Sequence, residues 1–154
     1  MPYTEKLSEE LTLVATIDPA PLAGAATIYS DVVNMAYHRR ALVVLLSGPA
    51  TTTKMVATAG TLTIFECTAA GTLASTALKT VTVTRAQTTA AMGQQKVTEV
   101  RDTELGTVHA AYTQYFKCKL VAGTNAANFG LVVLADNSRY SDAVTNDLAT
   151  NTIS

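Results

Sequence analysis

The chain predicts an all-β domain, an antiparallel β-sandwich or barrel of jelly-roll-like type, and three features carry that expectation. Residues 41–47 (ALVVLLS) form a short, β-branched apolar run that stops at the turn signal Ser47-Gly48-Pro49. Residues 78–85 (LKTVTVTR) alternate strictly, with Val81 and Val83 on one side and Thr80, Thr82 and Thr84 on the other. No segment longer than ten residues carries a helical 3.6-residue period. At 154 residues the chain has the size of one domain that buries a core without staples.

Taken in order, residues 1–23 are expected as an extended N-terminal arm, because Pro19 and Pro21 stop any helix begun around Leu7 and Leu11. A single β domain is expected over 24–140 and a flexible C-terminal tail over 141–154, where periodicity and large apolar residues run out. Within the domain, residues 25–29 (AATIY) predict a short strand, and Ser30 or Asp31 then caps a brief turn through Asn34 and Met35. Residues 41–47 are apolar on both faces, so this strand is central, or one face meets another subunit.

A loop up to Gly60 leads to residues 61–67 (TLTIFEC), with Leu62 and Ile64 on one face and Thr61, Thr63 and Phe65 on the other. After the turn at 69–75 and the Val/Thr strand, residues 86–95 are small and polar and read as a loop, and residues 96–101 (KVTEVR) form a short strand. Residues 109–121 alternate over a long span, and the buried row includes Phe116, Cys118 and Leu120. Residues 128–136 (NFGLVVLAD) close the domain, antiparallel to their predecessor if the two form a hairpin.

The composition excludes several partners. Charged residues are 15% of the chain and the net charge is −1, so no field attracts a nucleic-acid backbone. The longest apolar run falls far short of the ~20 residues of a spanning helix, so no membrane is expected. The first residues carry acids where a signal peptide carries bases, which points to cytoplasmic synthesis. Cys67 and Cys118 match no metal or disulfide framework and are expected as small buried residues.

No catalytic signature appears. His38 and His109 sit in no metal-ligand spacing, no GxSxG elbow is present, and no glycine-rich loop cradles a phosphate, so no enzyme, metal or cofactor is expected. Asp102 and Glu104 lie in a polar turn beside Arg101, and a chain without Trp lacks the usual sugar platform. The concentrated basic spot is His38, Arg39 and Arg40, placed before the apolar strand. Asp31, His38 and Arg39 are expected as a structural corner, with Asp31 and Arg39 paired across it.

The stretch ATIYSDVVNMAYHRRALVVLLSG resembles a pattern of small structural proteins of tailed bacteriophages, carried here by Ser30, Asp31, Val33, Asn34, Met35, Tyr37, His38 and Arg39. VTEVRDTEL and LVVLADNSRYSDA, with Arg139 and Tyr140, resemble later motifs of the same family. The resemblance covers about residues 25–140 and implies a non-enzymatic, all-β virion component. Its implied role is capsid decoration or cement: binding the major capsid protein from the outside of the virion, as a homotrimer, after assembly in the host cytoplasm. The expected interface is Leu42, Val44 and Leu46 with Arg40, Arg139 and Tyr140. The alternatives are a tail or head-completion component, and a receptor- or glycan-binding sandwich using Tyr112 or Tyr115.

Overall fold

The computed structural model describes residues 11–50, 58–84, 94–123 and 127–136. It is all-β, as the sequence predicts: β1 (Leu11–Leu22), β2 (Thr27–Asn34), β3 (Arg40–Ala50), β4 (Thr58–Cys67), β5 (Lys79–Thr84), β6 (Gln94–Arg101), β7 (Tyr115–Ala122) and β8 (Ala127–Asp136), with one 3-10 turn at Asp102–Glu104. Two four-stranded sheets, ordered β1-β8-β3-β6 and β2-β7-β4-β5, pack as a sandwich, and every pairing is antiparallel.

The pairing has a simple origin. The first four strands run against the last four as one long hairpin, β1 with β8, β2 with β7, β3 with β6 and β4 with β5. Rolling that ribbon adds the contacts β3 with β8 and β4 with β7 and closes two sheets over one core. This is the jelly roll.

The core comes from the period of two. Ala41, Val43 and Leu45 of β3 point inward, as do Leu131 and Val133 of β8, and all are at most 1% exposed. The opposite sheet answers with Leu62, Ile64, Phe116, Cys118 and Leu120. Phe129 reaches across from β8 to β4, where Gly60 leaves room: a Cβ there would lie 2.6 Å from the Phe129 ring. That glycine is set by cross-sheet packing rather than by a turn.

Four expectations are corrected. Residues 11–22, assigned to the arm, are a full strand paired with β8, so the domain begins no later than Leu11. Pro19 is tolerated because it falls in the register shift between Ile17 and Ala20, and Pro21, paired with Asn128, because β1 is an edge strand. Ser30 and Asp31 do not cap a turn; they form a bulge within β2, between Tyr29 and Val32. The buried Ser30 hydroxyl accepts the Cys118 N–H at 3.0 Å and donates to the Asp31 carbonyl at 2.8 Å.

The long alternating strand begins at Tyr115 and not at His109, because the N–H groups of Val108 and His109 are taken by the Glu66 carboxylate. Finally, β7 and β8 are not a hairpin. Each is wedged between two other strands in a different sheet. The tail 141–154, residues 1–10 and most of the two expected loops lie outside the described residues.

Candidate functional site

The motif around His38 is the crossover from β2 to β3. Val33 and Met35 are driven into the core, 1% and 3% exposed, which forces the chain to turn between them and β3. The Asn34 carboxamide oxygen shapes the turn by accepting the Ala36 N–H at 3.0 Å and the Gln114 side-chain amide at 3.1 Å, while the Met35 carbonyl accepts the His38 N–H. His38 is buried, and its Nδ1 lies 2.5 Å from the Asp136 carbonyl oxygen. A carbonyl only accepts, so Nδ1 carries the hydrogen.

Asp136 completes the corner in place of Asp31. Its carboxylate accepts the N–H groups of Arg39 at 2.8 Å and Arg40 at 3.2 Å. The expected Asp31–Arg39 pair does not form: Asp31 is exposed on β2, and no ion pair joins the two. Asp136 escapes sequence reasoning because it is distant in the chain and reaches the corner only by the pairing of β8 with β3. Its position as the first polar residue after an apolar strand was the one available signal.

The outward face of the β1-β8-β3-β6 sheet holds most of the expected interface. Leu42, Val44 and Leu46 alternate with the buried residues of β3 and are partly exposed. The register places Leu13, Leu134, Leu42 and Glu99 in one row and Thr16, Val132, Val44 and Val97 in the next. Leu46 lies beside Gly130 and Gln95, and Val97 is 58% exposed. The result is a continuous aliphatic surface without aromatic rings.

Charge is confined to one end of that face. Arg40, Glu99 and Asp136 with Leu11, Leu42 and Leu134 border a shallow hollow of about 200 Å³. Glu99 is hydrogen-bonded by Arg101 at 2.5 Å, and that bond, with the nearby guanidinium charges, holds its carboxyl below the usual glutamate value. Arg40 makes no ion pair among the described residues. Arg139 and Tyr140, the other expected interface residues, lie outside the described residues.

The outward face of the second sheet is chemically different. Its rows carry Thr61, Thr63, Thr80 and Thr82 beside Lys117 and Lys119, and the Lys117 ammonium sits 5.5 Å from the centre of the Tyr29 ring. This face also presents Tyr29, 45% exposed, with Val32, Phe65, Tyr115 and Val121, so it mixes polar and apolar groups.

Sequence reasoning also missed two polar devices. Fully buried Glu66 holds Val108 and His109, and His109 stacks on Tyr112 with ring centres 4.1 Å apart. Lys79 straps the open side of the sandwich, donating to the Glu99 carbonyl and, at 2.8 Å, to Glu104. The cysteines are buried as expected, and burial pushes their thiols up to about 11 for Cys67 and about 12 for Cys118. They are poor nucleophiles.

The fold and the outward face together define, among the described residues, an eight-stranded jelly-roll domain with one largely aliphatic outward face. No protein-family profile matches the chain, and no curated protein matches it. Among solved structures it is similar to the structure of infectious bursal disease virus, Gx strain, with 16% sequence identity and a TM-score of 0.45 over 85% of this chain. The match covers 33% of that chain, and a likeness at this level carries no argument about function.

Proposed function

We propose that the domain is a non-enzymatic structural component of a virion that works by adhesion, burying the aliphatic face of its first sheet against protein of the particle. The observation that carries this reading is the outward face of the first sheet, where aliphatic side chains sit side by side on adjacent strands. Burying a fully exposed leucine or valine is worth roughly 1.5–3 kcal/mol, and the six in two adjacent rows, Val97 at 58% exposure and the partly exposed Leu13, Leu134, Leu42, Val132 and Val44, each gain a fraction of that on being covered. The second sheet's outward face is mixed, with threonine and lysine beside Tyr29, Val32, Phe65, Tyr115 and Val121.

The likeness of the β2–β3 crossover to small virion proteins of tailed bacteriophages supports the setting. So does the jelly roll, an architecture frequent in capsid proteins, although lectins and cupins share it. Within the virion, decoration of the capsid exterior fits best: many identical sites multiply a modest interface, and a protein that binds only the assembled shell stabilises it. The measurement is cosedimentation of the purified protein with capsids lacking it, together with the heat resistance of those shells. Failure to sediment with them, alongside a specific hit on a glycan array, would transfer the reading to a glycan-binding sandwich. The half-exposed Tyr112 stacked on His109 is the feature that favours that second reading.

A further inference from the structure

We infer that the aliphatic face is self-complementary and pairs two copies of this chain about a two-fold axis. The inference concerns the same face as the adhesion reading and gives it a different occupant, a second copy in place of the shell. The strand order across the sheet is β1-β8-β3-β6. A two-fold axis lying in the contact plane, parallel to the strands and between β8 and β3, sets β8 of one copy on β3 of the other and β1 on β6. It keeps each row facing its own equivalent.

The rows then match. At the centre, Val132 of one copy lies over Val44 of the other, and Val44 over Val132. One row away, Leu134 faces Leu42 and Leu42 faces Leu134. At the charged end, Asp136 of each copy comes opposite Arg40 of the other. Both groups are available: the Asp136 side chain is 30% exposed, and Arg40 is exposed with no ion pair of its own among the described residues. On the flanking strands Leu13 comes over Glu99, whose charge Arg101 already holds, and Thr16 over Val97, so the apolar match is confined to β8 and β3. An aligned sheet-on-sheet contact of this kind is how β-sandwiches form their own cores.

The size is that of a reversible pair. The two matched strands at about 4.8 Å spacing, over about six residues of strand length, give an aliphatic centre of roughly 200 Å². A stable interface covers about 800 Å² per partner, so the polar rim around Arg40, Asp136, Thr16 and Gln95 must supply the remainder. The pair is two-fold where the bacteriophage resemblance implies a trimer.

Sedimentation velocity over a concentration series tests this on the full chain. The expected result is a monomer–dimer equilibrium that Val44→Asp shifts by at least roughly tenfold toward monomer, because it sets two carboxylates against apolar neighbours at the centre. Arg40→Glu, which places two acids face to face, weakens it in the same direction, whereas Lys117→Glu on the opposite sheet leaves it unchanged. Circular dichroism and thermal melting confirm that each variant is folded. A wild-type protein that stays monomeric at about 100 µM, a trimer, or a dimer indifferent to Val44→Asp and Arg40→Glu overturns the inference. Cosedimentation with shells keeps the two readings apart. If Val44→Asp abolishes shell binding while the wild type is monomeric, the face meets the shell directly and the pair is lost, but the adhesion reading survives. If the dimer forms and no shell is bound, the reverse holds.

Discussion

Glu66, fully buried on β4, accepts the backbone N–H of His109 at 2.7 Å and that of Val108 at 3.2 Å. A carboxylate in the interior survives only with such donors, and here it anchors the segment between the 3-10 turn and β7 to the second sheet. The same residue's carbonyl accepts the Ala74 N–H, so one position ties two connections to β4.

Glu66→Ala therefore removes an acceptor from two backbone donors and is expected to cost about 3 kcal/mol, read by urea unfolding. Hydrogen exchange at Val108 and His109 accelerates. Glu66→Gln keeps one acceptor oxygen and loses less. Equal stability of the alanine variant and wild type would show that the carboxylate does not hold the segment.

At the crossover, Asp136→Ala frees the N–H groups of Arg39 and Arg40. Water reaches this corner, so the expected cost is about 1 kcal/mol. Asp31→Ala, on an exposed bulge, stays within about 0.5 kcal/mol of wild type. Chemical denaturation of both variants distinguishes the corner observed from the one expected at Asp31, and the reverse order of the two costs would contradict the geometry.

Gly60→Ala places a methyl group 2.6 Å from the Phe129 ring and is expected to destabilise by about 1–3 kcal/mol through overpacking. Combining it with Phe129→Leu relieves the clash, so the double variant loses less than the sum of the singles. Strict additivity in thermal unfolding would mean that the two residues do not touch.

Glu104 gives a pH dependence. Partial burial raises its carboxyl, but the Lys79 hydrogen bond, the Arg101 N–H and both positive charges outweigh that and lower it from the ordinary 4.5. A folded-state value below the unfolded one means that the stabilisation is present above about pH 4.5 and disappears as the pH falls through the lowered value. The Lys79 and Glu104 side chains are 28% and 34% exposed, which limits the effect to under about 1 kcal/mol. The stability difference between wild type and Glu104→Gln, measured by urea unfolding over a series from neutral pH into acid, is expected to be present at neutral pH and to shrink progressively below about pH 4.5. A difference that persists in acid would assign it to packing.

Much of the fold is written in local pattern. The alternation of residues 78–85 appears as β5, with Val83 buried and Thr80 and Thr82 in water. Leu62 and Ile64, and the row Phe116, Cys118 and Leu120, point inward as their spacing requires. The double-sided apolarity of residues 41–47 marked β3 as central, and its outward row is the candidate site. These features are legible because the side-chain direction of a strand depends only on parity along the chain.

What the chain alone determined was therefore the all-β class, the inward rows and the three aliphatic residues of β3 that face out. Tertiary structure decided the rest: that Leu13, Val132, Leu134 and Val97 join those three on one surface, that Asp136 and not Asp31 holds the corner, and that β8 leaves β7 to sit between β1 and β3. The reason is that strand pairing brings together residues far apart in sequence, and the choice of partner is made by how the whole ribbon rolls to bury its apolar side. No local pattern encodes that choice.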